Sequence, residues 1–258
     1  MPKVYLAGAG PGDPDLLTVK AARLIAQADV IVYDRLVSPE ILALARPDAL
    51  LLFGGKQQGQ QERIQNEIHS LLLAHAASGR LVVRLKGGDP MVFGRGAEEW
   101  SFLASHGIDV ELVPGISSAL AVPALAGIPP TLRGVAVSFA VITGHRQKME
   151  PQEWARYQVV DTLLVLMGVE NRQTIAKNLI RAGRNSDEPV AFIERGSTDR
   201  ERVVVSNLGA VARGQVEVSS PAVFVIGQVV RMRTHLKRLV AESPKEVYAA
   251  RLALTRSR

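Results

Sequence analysis

The chain has 258 residues, 47% hydrophobic and 22% charged, with a formal net charge of +6 and no cysteine. That length and composition suffice for one large or two modest folded domains and exclude a disordered chain. The lack of cysteine excludes disulfides, thiolate nucleophiles, iron–sulfur clusters and zinc ribbons. The five histidines, at 69, 75, 106, 145 and 235, show no metal-ligand spacing, so no metal is expected.

No apolar run approaches the roughly 18 residues needed to span a bilayer, and the first residues lack the pattern of a secretory signal. A cytoplasmic enzyme with no membrane partner is the expectation. The basic residues are dispersed and aromatics make up only 5% of the chain. That gives little support to a stacking platform for single strands, so no nucleic-acid partner is expected.

In chain order, the first apolar run is Val4–Ala7, followed by Leu16, Val19, Leu24 and Ile25 at loosely helical spacing. Strands are expected at Val30–Tyr33 and Leu50–Phe53, a helix on Ile64, Ile68, Leu71 and Leu72, then strands at Leu81–Leu85 and Val110–Val113. Strands alternating with helices predict a mainly parallel sheet covered on both faces. In such a sheet ligands lie outside the carboxyl ends of the strands.

The stretch Pro114–Gly134 then holds four prolines and three glycines. Within it, Ile116–Ala126 is small and apolar enough for a buried helix. A domain junction after it gives an N-terminal α/β domain over 1–130, a C-terminal α/β domain over 131–240 and a basic tail over 241–258. In the second domain, strands are expected at Val135–Ile142, Thr162–Met167, Val190–Glu194, Arg202–Ser206 and Ala222–Ile226. Helices are expected at Val169–Ala182 and Gln228–Ala241. The β-branched alternation of the last three strands predicts a mixed sheet.

Three loops follow strands. The first, Gly8-Ala9-Gly10-Pro11-Gly12-Asp13-Pro14, falls short of a dinucleotide fingerprint. Asp13 stands where a glycine is needed, and Pro11 lacks a backbone donor for phosphate. A tight strand–helix turn capped by Asp13 or Asp15 explains the same residues equally well. The second, Lys86-Gly87-Gly88-Asp89-Pro90, ends a buried strand and continues as Met91-Val92-Phe93-Gly94-Arg95-Gly96-Ala97-Glu98-Glu99. A carboxylate in that turn suits ribose hydroxyls, an ammonium or a sulfonium better than phosphate, favouring a positively charged, adenosine-bearing ligand. The third, Pro114-Gly115-Ile116-Ser117-Ser118, places two hydroxyls at a helix start, where capping is their commonest role.

The runs VYLAGAGPGDPDLLTVKAARLIAQADVIVYDRLVS, VVRLKGGDPMVFGRGAEE and VPGISSALAVPALAGIPPTLRG resemble the tetrapyrrole methylase family. So do VITGH, LLVLMGVENRQTIAKNLI, PVAFIERGST and SPAVFVIGQVVRMR, and the resemblance extends to about Leu239. It implies two α/β domains with S-adenosylmethionine in the crevice between them, in a homodimer. It also implies that Pro11, Gly87, Gly88, Asp89, Val92, Ser117, Ser118, Met167 and Gly196 touch the cofactor. By itself Met167 reads as a core residue, because methionine fills gaps.

The implied reaction transfers two methyl groups to ring carbons of uroporphyrinogen III, giving precorrin-2 on the way to siroheme or cobalamin. The resemblance points to Asp34 as proton acceptor and Lys56 as proton donor, with Arg95 and Glu98 beside the substrate. Alone, Asp34 reads as a strand-end turn residue and Lys56 as a surface lysine. An acidic tetrapyrrole needs arginines that grip carboxylates in bidentate fashion, a role that suits Arg35, Arg95 and Arg133. Three departures from the family pattern, Leu132, the run Gln57–Gln61 and Ser118, leave the substrate open between uroporphyrinogen III and a later precorrin. An RNA ribose methyltransferase on the same fold and a non-enzymatic nucleotide-binding module are the other readings.

Overall fold

The computed structural model describes residues 2–54, 61–145 and 151–242. The described residues fall into two compact units, one within 1–122 together with 194–202, the other within 123–193 together with 203–258.

In the first unit β1 (Lys3–Gly8), α1 (Val19–Gln27), β2 (Val30–Tyr33), α2 (Pro39–Leu42), β3 (Leu50–Phe53) and α3 (Gln61–Ala77) come in order. They are followed by β4 (Val82–Lys86), α4 (Gly96–Ser105), β5 (Asp109–Val113) and the start of α5 (Ser118–Leu125). The strands pair in the order β3-β2-β4-β1-β5, all parallel. In register, Gly8 pairs with Lys86 and Ala7 with Val113, so three strands end level with one another.

Alternation along β4 splits its side chains between the two faces of the sheet. Val83 and Leu85 join Ala7 and Ile31 under Ala21, Leu24 and Ile25 of α1 and Ile41 of α2. Val82 joins Val4, Leu6 and Val32 under Ile68 and Leu72 of α3 and Leu103 of α4. Burial on both faces is why β1 and β2 are nearly continuous apolar runs. Side chains end the loops cleanly, with Thr18 accepting from the Ala21 amide at the start of α1 and Ser38 from the Ile41 amide at the start of α2.

The second unit contains β6 (Phe139–Thr143), α6 (Pro151–Trp154), β7 (Thr162–Leu166), α7 (Arg172–Arg181) and most of β8 (Pro189–Glu194). It continues with most of β9 (Arg202–Asn207), α8 (Leu208–Ala212), β10 (Ala222–Ile226) and α9 (Val230–Glu242). The sheet order is β6-β7-β10-β8-β9; β6 runs parallel to β7 and β10 antiparallel to it, so the sheet is mixed. Its core gathers Leu163, Val165, Ile175, Leu179 and Leu208 around Phe192 and Phe224, whose rings stack 4.1 Å apart.

Three expectations change. The strand expected from Val135 begins only at Phe139, because Leu132 and Ala136 bond to each other across a turn at Gly134. The Asp161 carboxylate then holds the Val137 and Ser138 amides outside the sheet. The helix expected over 116–126 is shorter and only half-buried: Ala119 and Val122 face inward, whereas Leu120 and Leu125 are exposed. The helix expected from Val169 starts at Arg172, after Asn171 turns its side chain to the Gly144 carbonyl. Helix α4 was not foreseen at all.

Candidate functional site

The carboxyl ends of β1, β4 and β5 meet through glycine. A Cβ on Gly8 would lie 2.5 Å from the Gly115 Cα and 2.6 Å from the Gly88 oxygen, so no side chain fits there. Gly10 and Gly88 both have φ of 68°, in the left-handed region that favours glycine, and each amide donates to the other's carbonyl, at 3.2 and 2.7 Å. The Ala9 amide donates to the Lys86 carbonyl at 2.7 Å, extending the seam. Asp89 completes it: one carboxylate oxygen accepts from the Met91 amide at 2.8 Å and the other from the Gly115 amide at 3.1 Å.

The structure therefore brings Pro11, Gly87, Gly88, Asp89, Ser117 and Ser118 together on one edge, with Val92 a turn away, its amide donating to the Asp89 carbonyl. Ser117 caps α5, its carbonyl accepting from the Leu120 and Ala121 amides and its hydroxyl from the Ala119 amide at 3.3 Å. The Ser118 amide lies over Gly88, 3.6 Å from where a Cβ there would sit. Asp13 caps the short turn at Pro14–Leu16 by accepting from the Asp15 amide.

A fourth segment, 194–202, joins the same unit. Ser197 has a left-handed φ of 67°, and its hydroxyl accepts from the Asp13 amide at 2.9 Å. Its own amide donates to the Glu201 carboxylate at 3.2 Å. Gly196 presses on α5, since a Cβ there would come 2.8 Å from the Val122 Cγ2.

This edge suits an adenosine-bearing sulfonium better than a phosphate. The Gly10 and Gly88 amides are spent on each other. Lys86 turns into the sheet, 3% exposed, and its ammonium bonds to Glu99 at 3.0 Å, so it presents no cation to the turn. Among the described residues, this edge offers bare peptide, the Ser117 and Ser118 hydroxyls and the remaining lone pairs of the Asp89 carboxylate.

Beside the glycine turn lies a charge cluster that sequence reasoning missed. The guanidinium of Arg84, 1% exposed, reaches Glu99 through Nε and Nη2 and Asp34 through Nη2 at 2.5 Å. Glu99, fully buried on the first turn of α4, feels burial pushing its pKa up; Arg84 and Lys86 outweigh that and hold it below the usual carboxylate range. Burial likewise works against the Arg84 charge, and the carboxylates of Asp34 and Glu99 carry its pKa above the ordinary value. The signal was present as two basic residues at alternate positions of an apolar strand, Arg84 and Lys86. Asp34 opens a turn packed on the glycine loop: the Val37 amide donates to its carbonyl, and a Cβ on Gly87 would meet the Leu36 Cβ at 2.9 Å. Arg35, next in that turn, is exposed.

Arg95 and Glu98 form a forked pair, with Nε 3.0 and 3.1 Å and Nη2 2.5 Å from the Glu98 oxygens. The hydrogen bonds from Arg95 hold the Glu98 pKa below the usual range. Arg95 and Phe93 both adopt left-handed φ as the loop winds around the Pro90 carbonyl, which a Cβ on Gly96 would approach to 2.5 Å. Met167 and Arg133 belong to the second unit. Met167 directly follows β7 with a left-handed φ of 55° and is half exposed, so it is not the core residue its type suggests. Arg133 is exposed on the turn between Leu132 and Ala136. Lys56 and Gln57–Gln60 lie outside the described residues. Among the described residues no helix is long and apolar enough to cross a membrane.

Residues 3–212, from β1 to α8, match the family described as Tetrapyrrole (Corrin/Porphyrin) Methylases. The chain belongs to that family. This tetrapyrrole methylase is 46% identical over 235 residues to the uroporphyrinogen-III C-methyltransferase of Methanocaldococcus jannaschii, covering 89% of this chain and 97% of that one. It is 43% identical over 251 residues to the Bacillus subtilis protein of the same name, covering 95% and 98%. A crystal structure of uroporphyrin-III C-methyl transferase from Thermus thermophilus, complexed with S-adenyl homocysteine, superposes with a TM-score of 0.78 at 50% identity. That match covers 89% of this tetrapyrrole methylase and 93% of the Thermus chain.

Proposed function

We propose that this tetrapyrrole methylase transfers methyl groups from S-adenosylmethionine to two ring carbons of uroporphyrinogen III, giving precorrin-2 and S-adenosylhomocysteine. The observation that carries the reading is the likeness, at 43–50% identity along almost the whole chain, to proteins named for that reaction. The bound cofactor supplies an electrophilic sulfonium methyl.

The chain's own residues supply the rest. Pro11, Gly87, Gly88, Asp89, Val92, Ser117 and Ser118, with Gly196 and Met167, hold the donor so that the pyrrole carbon lies in line with it, and positioning accounts for much of the rate. Asp34 accepts the proton that leaves the methylated macrocycle, and Lys56 as donor returns to one ring position a proton lost from another, so each methyl transfer releases one proton net. Arg35, Arg95 and Arg133 pair with substrate carboxylates, and Glu98 keeps the Arg95 fork aimed until a carboxylate replaces it. The protein works in the cytoplasm as a homodimer, in siroheme or cobalamin synthesis. Exposed apolar residues such as Val137 and Phe139 are surface that a second copy could cover.

Purified protein incubated with S-adenosylmethionine and anaerobic uroporphyrinogen III is expected to yield a product heavier by two methyl groups. No such product, with turnover on a precorrin or on RNA instead, would reassign the substrate.

A further inference from the structure

Three wholly buried groups in the first unit, Arg84, Lys86 and Glu99, comprise two cations and one anion. A buried set of charges is weak evidence for stability, because apolar side chains of similar volume would serve a sheet about as well. The fourth member, Asp34, neutralises the set, and its side chain is the only one of the four with substantial exposure, 31%. The cluster thus leads from the interior to a carboxylate at the end of β2, on the edge where ligands of open α/β sheets bind.

The bonds define how that carboxylate is held. Arg84 Nη2 takes Asp34 Oδ1 at 2.5 Å, and Lys86 Nζ lies 3.5 Å from Oδ2, so each oxygen faces a different cation. Two points of contact fix the plane of the carboxylate as well as its position. The guanidinium is itself immobilised: Nε bonds to both Glu99 oxygens at 3.2 and 3.3 Å, and Nη1 to the Val32 and Leu85 carbonyls at 3.3 and 3.4 Å. Asp34 is therefore no ordinary turn residue, since its turn is closed by its backbone carbonyl while its side chain answers to the sheet interior.

We infer that Arg84, braced by Glu99, is a positioning residue that sets the orientation of the Asp34 carboxylate for proton transfer. The inference rests on the reading of Asp34 as proton acceptor. Arg84→Lys keeps the charge but loses the fork, and Glu99→Gln keeps the shape but loosens the brace.

The test is a double-mutant cycle on single-turnover methyl transfer, using Arg84→Lys, Asp34→Asn and both together, with S-adenosylhomocysteine affinity measured alongside. Arg84→Lys alone is expected to slow the chemical step about tenfold or more while leaving that affinity within about twofold. In the Asp34→Asn background the same change is expected to cost nothing further. Losses that multiply would overturn the inference while leaving Asp34 in its role. Full activity of Asp34→Asn would instead remove the reading beneath it, and the inference with it. Should Arg84→Lys not fold, Glu99→Gln enters the same cycle, and an unchanged rate there overturns the proposal.

Discussion

The Asp89 carboxylate holds the Met91 amide with one oxygen and the Gly115 amide with the other. It is therefore the pin between the loops after β4 and β5 as well as a group the cofactor can meet. Asp89→Ala removes both anchors and leaves two backbone donors without that acceptor; charge-assisted bonds of this kind contribute about 1.5–3 kcal/mol each. The expected outcome is S-adenosylhomocysteine binding weakened by about tenfold or more, read by calorimetry; unchanged affinity would remove Asp89 from the site. Asp89→Asn, which keeps one acceptor oxygen, should fall between. The glycines around Asp89 were legible in the sequence because only glycine tolerates such backbone approach, so the residue type itself carries the geometry. The partners of Arg84 were not legible. Which carboxylate neutralises a buried guanidinium depends on a helix fifteen residues further on lying across the strand, and that is a matter of packing.

At the scale of elements, the strands of the parallel sheet were the most legible part of the fold. A strand buried on both faces has to be apolar throughout, and β2 occupies the residues expected of it; the edge strand β3 does so too, with Leu50, Leu51 and Phe53 exposed. The strand expected at 135–142 failed for a local reason: its first four residues carry the right β-branched pattern, but Gly134 and Asp161 give their amides other partners. Helix α4 escaped notice because it begins among glycines and charges, Gly96 to Glu99, and its inward face includes a glutamate rather than an apolar residue. The close approach of Gly196 to α5 makes a prediction at the same scale. Gly196→Ala would drive a methyl into the branched Val122 side chain, an overpacking that costs about 1–3 kcal/mol. A lowered thermal midpoint is expected, recovered in part by Val122→Ala in the same chain. A midpoint indistinguishable from the parent would show that the segment 194–202 yields freely.

For the molecule as a whole, two of the groups through which acid acts, both in the first unit, do so at separate pH ranges. Glu111 accepts hydrogen bonds from Lys20 and Lys3, which push its pKa down to about 2 from 4.5. Its contribution is complete above about pH 4.5 and is lost as the pH falls toward 2. His69 titrates earlier. It is 8% exposed on α3, with its ring stacked 4.1 Å from Phe102. Burial holds its pKa below the ordinary 6.5, opposed by the charges of Glu99 and Glu98 and reinforced by those of Arg95 and Arg84. The unfolded chain therefore takes up this proton first as the pH falls, and the folded state loses stability from about pH 6.5 downward until the folded imidazole is itself protonated. His69→Leu keeps an apolar filling and removes the proton site. The gap in thermal midpoint between about pH 7.5 and about pH 5.5 should therefore be narrower in the variant than in the parent. The acid loss centred on Glu111 should persist in His69→Leu and shrink in Glu111→Gln. Scanning calorimetry across the two ranges separates them, and an identical gap between about pH 5.5 and about pH 7.5 in parent and His69→Leu would show that folding does not hold the His69 proton off.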